Sequence, residues 1–225
     1  MEPIFLEGVL QDKIWGGTKL RDEFGYDIPT ETTGEHWSIS AHPNGPATIK
    51  NGEHAGKTLA ELWDSNRELF GNQEGDVFPL LTKIIDANND LSVQVHPDDA
   101  YGLENEGELG KTECWYILSA DEGAEIVFGH HANSKEEYLA MIEKGTGINY
   151  FVLLKFTQAI SSTYRVEQFT QLARALWCWR RNNRATRRTD YTTMTVRMTP
   201  GTCAICIFSN QSTFQRFLTK TLNLK

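Results

Sequence analysis

Polar and apolar positions alternate in short runs over the first two thirds of this chain. In SVQVH (92–96), Ser92, Gln94 and His96 share one side of a strand, and Val93 and Val95 the other. KTECWY (111–116) places Lys111, Glu113 and Trp115 on one face in the same way. HWSISA (36–41) alternates and is closed by the turn residues HPNGP (42–46). FPLLTKIID (78–86) is almost continuously apolar and predicts a buried strand, ended by the turn ANND; ECWYIL (113–118) and AEIVFG (124–129) predict two more. Helical spacing is rarer. KTLAELWDSNRELFG (57–71) carries an apolar stripe of Leu59, Leu62, Trp63 and Phe70, a capping box from Thr58 to Glu61, and Gly71 as a stop. Ser134-Lys-Glu-Glu137 opens a second helix with Tyr138, Leu139, Met141 and Ile142 on its apolar side. Gly16–Gly17 reads as a turn, and residues 98–110 as a polar loop in which Asp98 and Asp99 are solvated. Many short strands with few helices predict a mostly β sandwich or barrel.

Composition narrows the function. The formal charge of −8 disfavours a nucleic-acid partner, because phosphate backbones call for Lys and Arg. No apolar run approaches the roughly 20 residues that span a bilayer, so no membrane partner is expected. The start, MEPIFLEGVLQDK, lacks a basic region followed by an apolar stretch, and the four cysteines make no disulfide framework. A cytoplasmic location is the expectation. The charge is unevenly spread, however. Residues 1–144 hold 28 Asp+Glu against 10 Lys+Arg, a net of −18. Residues 145–225 hold 2 against 12, a net of +10, with only 3 of the 18 glycines and no histidine.

If SVQVH and KTECWY both line the inside of a barrel, Gln94, His96 and Glu113 converge. Two oxygen donors and an imidazole suit a divalent cation such as zinc, in the mixed nitrogen and oxygen set typical of catalytic sites. Each residue alone has a plainer reading: a strand histidine is commonly a hydrogen-bonded core or surface group, and an inward Glu commonly pairs with a neighbour such as Lys111. The matched facing on two strands favours the metal. His130 and His131 precede a helix and read as loop or cap residues. Cys203-Ala-Ile-Cys206 lacks the second pair that a structural zinc site requires.

IWGG (14–17), GEHWSISAHPNGP (34–46), FPLLTKIIDA (78–87), LSVQVHPDD (91–99), GELGKTECWYIL (107–118) and FGH (128–130) together resemble the type I phosphomannose isomerases, in their short bacterial form. The resemblance covers residues 3–144. It implies a cupin (jelly-roll, double-stranded β-helix) fold and interconversion of mannose 6-phosphate and fructose 6-phosphate with one zinc ion. It carries the metal-ligand role to Gln94, His96 and Glu113. It places Ser92 and Lys111 near the substrate phosphate and Trp15 beside the sugar. The partner it implies is a small sugar phosphate.

Family members add a histidine ligand in a run like H-P-G-D-F-F-Y-V-P-S-G-T-I-H-A, and a catalytic arginine in a run like T-T-Y-R-L-Y-D-Y-D-R. Neither occurs here. The bases A AAA TTC ACC CAG GCG ATT encode Lys-Ile-His-Pro-Gly-Asp from the first base and Lys-Phe-Thr-Gln-Ala-Ile, residues 155–160, from the second. The same shift turns F-F-Y-V-P-S-G-T-I-H into residues 161–170. A one-base slip near Gly145–Gly147 therefore accounts for the tail's charge reversal and lost motifs, with Thr170 standing where the histidine belongs and Asp190 where the arginine belongs. Residues 145–225 are then a basic, non-native tail, and the C-terminal half of the barrel is incomplete. Three other readings stay open: a non-catalytic sugar-phosphate-binding cupin, a different metal-dependent cupin enzyme, and a basic nucleic-acid arm in the Trp- and Arg-rich tail.

The nucleotide sequence around codons 143–148 tests the slip. Restoring one base should yield H-P-G-D and a downstream G-T-x-H. Stop codons in the restored frame would contradict it.

Overall fold

The structure is a computed structural model and describes residues 2–91, 99–105, 107, 110, 112–121, 123–144, 151–155, 164–165 and 202–209. Strands dominate, as the alternation predicts. In chain order they are β1 (Leu6–Glu7), β2 (Val9–Gly17), β3 (Thr33–Ser40), β4 (Thr48–Ile49), β5 (Leu80–Ala87), β6 (Thr112–Ser119), β7 (Glu125–His130), β8 (Phe151–Lys155), β9 (Tyr164–Arg165) and β10 (Thr202–Ser209). The helices are α1 (Lys19–Asp22), α2 (Leu59–Ser65), α3 (Asp99–Asn105) and α4 (Lys135–Glu143), with 3-10 turns at Gly52–His54 and Arg67–Phe70. A six-stranded antiparallel sheet has the order β2-β3-β5-β10-β6-β9, and two smaller sheets pair β1 with β4 and β7 with β8. Among the described residues no helix is long and apolar enough to cross a membrane.

The helix at 57–71 forms where its signals place it, but in two pieces. Thr58 Oγ1 accepts the Glu61 N–H at 3.2 Å and Glu61 Oε2 accepts the Thr58 N–H at 2.7 Å, so the capping box closes on itself. A cap of this kind stabilises a helix by about 1 kcal/mol. At Asn66 the backbone leaves helical geometry (φ −139°, ψ 57°), and a 3-10 turn carries the chain on to Gly71 at φ 67°. Behind the break, Trp63, Phe70 and Phe78 meet edge to face at 5.2–5.7 Å between centroids. The Arg67 guanidinium lies 4.0 Å over the Trp63 ring and donates to the carbonyls of Gln73 and Gly75. Leu59, Leu62 and Trp63 are buried with Ile49 and Ala47, giving the helix its seat beside the small β1–β4 sheet.

Three expectations are corrected. His130 is not a loop or cap residue; it ends strand β7 opposite Phe151 of β8. Gly16 and Gly17 do not make a turn; they end strand β2. Beyond Asp12 that strand leaves its register with β3 and rejoins it at Gly17, both residues opposite Thr33. Residues 13–16 bulge out between them, and Ile14 is 96 % exposed. The glycines answer to close approach. A Cβ on Gly16 would stand 2.4 Å from the Thr32 carbonyl oxygen and 2.5 Å from the Gly34 nitrogen, and one on Gly17 2.8 Å from Asp86 Oδ2. The polar stretch at 98–110 contains α3, and Asp99 opens it with a buried Oδ1 that has no hydrogen-bond partner among the described residues, so it is no freely solvated loop charge.

Beyond residue 150 the described segments are all strands. β10 pairs along its length with β5 and, with one irregularity at Cys203/Ala204, with β6. The Cys203–Cys206 spacing thus falls inside a strand at the centre of the main sheet.

The bulge generates a test. Gly16→Ala drives a methyl group into fixed backbone and should destabilise the chain by about 1–3 kcal/mol in urea unfolding, the range for overpacking. An unchanged unfolding midpoint would contradict the close approach.

Candidate functional site

Strands β2, β3 and β5 bring one buried group of charges together. Glu35 and Trp37 stand two residues apart on β3 and so face the same way; Lys83 on β5 is in register with Trp37. Glu35 Oε2 accepts the Trp37 indole N–H at 2.7 Å and the Lys83 ammonium at 3.2 Å, and the Lys13 ammonium of β2 lies 3.7 Å away. Lys83 Nζ also sits 4.5 Å from the Trp37 ring centroid. Glu35 and Lys83 are 7 % and 8 % exposed, so the ion pair has left bulk water. Removing one partner of such a pair typically costs about 3–5 kcal/mol, because the other charge is stranded. Two ammonium groups, from β2 and β5, thus converge on one carboxylate oxygen of β3.

Trp15 adjoins this group. Its Cζ3 atom and the Lys13 Cβ both stand 2.7 Å from where a Gly34 Cβ would be, so Gly34 lets the bulge lie against β3. The Trp15 carbonyl accepts the N–H groups of Asn88 and Asn89 at 2.9 and 3.0 Å. Close by, Asp86 is 1 % exposed; its Oδ2 accepts the Lys19 N–H at 2.8 Å while Oδ1 has no partner among the described residues. Burial pushes the Asp86 carboxyl upward in pKa, partly offset by the Lys19 N–H and by the Lys19 charge. His36, buried on β3, has its pKa lowered by the same loss of solvation and stays neutral more readily. Its Nδ1 lies 2.8 Å from Ser38 Oγ, and its ring lies 4.1 Å from that of Tyr26.

Ser92, Gln94, His96 and Lys111 lie outside the described residues. Glu113 is placed only by its strand: it stands on β6 opposite Phe208 of β10. Of the expected site residues only Trp15 has a described side chain, half-buried at the mouth of the bulge. Among the described residues no group of three His, Cys, Asp or Glu side chains could hold a metal ion. The Glu35–Lys83–Trp37 group was missed by the sequence reading. Its signal was available: a lysine in the middle of the apolar run FPLLTKIID has to find a partner inside the protein.

The description "Phosphomannose isomerase type I, catalytic domain" matches residues 4–137. The chain belongs to the type I phosphomannose isomerase family. Within that family, it is 67 % identical over 144 residues to the mannose-6-phosphate isomerase of Streptococcus mutans, a match covering 64 % of this chain and 46 % of that protein. It is 57 % identical over 145 residues to the mannose-6-phosphate isomerase ManA of Bacillus subtilis, with the same coverage. The chain thus spans about half the length (46 %) of the curated relatives it matches. The crystal structure of the mannose 6-phosphate isomerase from Bacillus subtilis superposes with a TM-score of 0.77 at 45 % identity, covering 93 % of this chain and 59 % of that one. A solved structure from Archaeoglobus fulgidus, at 18 % identity and a TM-score of 0.58, shares the fold. The mostly β architecture is that of the phosphomannose isomerase cupins.

The buried ion pair can be probed by a double-mutant cycle. Glu35→Gln alone should cost about 3–5 kcal/mol in urea unfolding, and adding Lys83→Met should restore part of that loss. Strict additivity of the two substitutions would show that the pair is not coupled.

Proposed function

We propose that the chain carries the zinc and sugar-phosphate site of a mannose-6-phosphate isomerase, on a scaffold whose C-terminal part is out of frame. The observation that carries the reading is the 57–67 % identity to curated family members over 144 residues, across the motifs QVH and KTE. Aldose–ketose isomerisation shifts a proton between C1 and C2 through an enediol that carries charge on oxygen. Gln94, His96 and Glu113 would hold the ion; an amide oxygen, an imidazole nitrogen and a carboxylate oxygen are a donor set that zinc accepts. Bound zinc would supply stabilisation of that oxygen charge. Lys111 provides a cation for the phosphate dianion and Ser92 a hydroxyl donor. Trp15 offers a flat apolar wall to the sugar ring. The substrate is a cytoplasmic sugar phosphate, and the chain is assigned to the same compartment.

Three donors leave zinc without the fourth protein ligand that family members supply, since no histidine follows His131. The charge reversal after residue 144 supports a tail in the wrong reading frame. The same absence favours a second reading, a cupin that binds hexose phosphate without turning it over.

A coupled assay with mannose 6-phosphate and added zinc tests the proposal. The chain as it stands should bind zinc weakly and turn over at least about tenfold to a hundredfold more slowly than a frame-restored protein, because losing a ligand should cost no less than losing one of the groups that orient it. Equal turnover by the two proteins would contradict the proposal.

A further inference from the structure

We infer that Asp86 is a positioning residue that latches the Trp15 bulge, and so sets the sugar wall of the site, an inference that rests on the proposed function. The register of β2 with β3 lapses over residues 13–16, and there the Lys13 N–H donates to the Thr32 carbonyl at 2.9 Å. The Trp15 side of the bulge is held by the end of β5. The Trp15 carbonyl receives both the Asn88 and Asn89 N–H groups, at 2.9 and 3.0 Å. On the far side of the glycine pair, the Lys19 N–H donates to Asp86 Oδ2 at 2.8 Å. The chain is thus pinned on both sides of Gly16–Gly17 by residues 86–89. Gly17 has no room for a side chain against Asp86 Oδ2, so the contact is close as well as bonded.

The chemistry of Asp86 sets it apart from a packing residue. Its carboxylate is 1 % exposed and one oxygen has no partner among the described residues, a cost for a buried acceptor. An apolar residue would fill the same space without that cost. The acceptor is worth its cost where the position of a backbone segment matters, and the segment it fixes leads directly into Trp15. Asp86 touches no substrate in this arrangement; it acts through Lys19, Gly17 and the bulge.

The test compares the full chain with Asp86→Ala and Asp86→Asn. Hydrogen exchange is followed by mass spectrometry over residues 13–22, and mannose 6-phosphate affinity is measured with zinc present. Asp86→Ala should speed exchange of this segment about tenfold or more and weaken mannose 6-phosphate about fivefold to twentyfold, the equivalent of one to two hydrogen bonds. Asp86→Asn keeps an oxygen acceptor and should restore both to within about twofold. Zinc affinity should not change, which a merely structural defect would not spare. If Asp86→Ala shows no cooperative unfolding transition, Asp86→Val, a second substitution that removes the acceptor, takes its place. Exchange unaltered by the loss of the acceptor, Asn no better than Ala, or zinc affinity falling in step with sugar affinity would each overturn the inference. If the unsubstituted chain binds no mannose 6-phosphate, the proposed function fails, and the exchange comparison alone decides whether Asp86 is the latch.

Discussion

A carboxylate taken out of water needs donors aimed at it, and the placing of strands β2, β3 and β5 turns on how Glu35 meets that need. One oxygen of Glu35 takes an indole N–H from its own strand and lies within ion-pair reach of ammonium groups from the strands on either side. The three strands are therefore tied by charge as well as by ladder hydrogen bonds. Shifting any of them by one residue would turn its contribution to the opposite face and leave charges unpaired in the interior. Trp37 serves twice, as a donor to Glu35 and as a ring beneath Lys83. The bulge that carries Trp15 starts from the same strand that supplies Lys13, so the ion-pair group and the proposed sugar wall share one support.

How much of this could be read in advance depended on whether the signal was local. The Thr58–Glu61 capping box was legible because both partners lie within one turn, and β3, β5, β6 and β7 because alternating or continuously apolar runs bounded by turn residues need no tertiary knowledge. The break at Asn66 was hidden because an apolar stripe continues across it to Phe70, whose ring packs on Trp63. Gly16–Gly17 misled because a glycine pair has two physical uses, turning the chain and admitting a neighbour, and only the neighbours at Thr32, Gly34 and Asp86 reveal which applies. Helix α3 is short and contains Gly102, so it lacked the periodicity that would announce it. Glu35 and Lys83 are 48 residues apart, and no local pattern could pair them. Of the candidate site, the strand position of Glu113 and the half-burial of Trp15 are described; Ser92, Gln94, His96 and Lys111 lie outside the described residues.

Family membership and the amount of family sequence present are separate matters. The match to the type I catalytic domain ends at residue 137, and the charge balance inverts soon after. Beyond that point β10 occupies the place between β5 and β6, where two unpaired strand edges would otherwise face each other. Its residues, TCAICIFS, are rich in β-branched and apolar types, and such a run can pair in a sheet whatever reading frame produced it. Backbone pairing is tolerant of sequence in a way that metal coordination is not. A strand can be replaced by another strand, whereas a histidine ligand cannot be replaced by a threonine.

That difference makes the metal the decisive observable. X-ray absorption at the zinc edge of the zinc-loaded full chain reports the donor atoms directly. The account predicts a first shell of nitrogen and oxygen only, with the scattering of a single imidazole from His96. A sulfur shell, which would draw the Cys203–Cys206 strand into the site, or the signature of two or more imidazoles would contradict it.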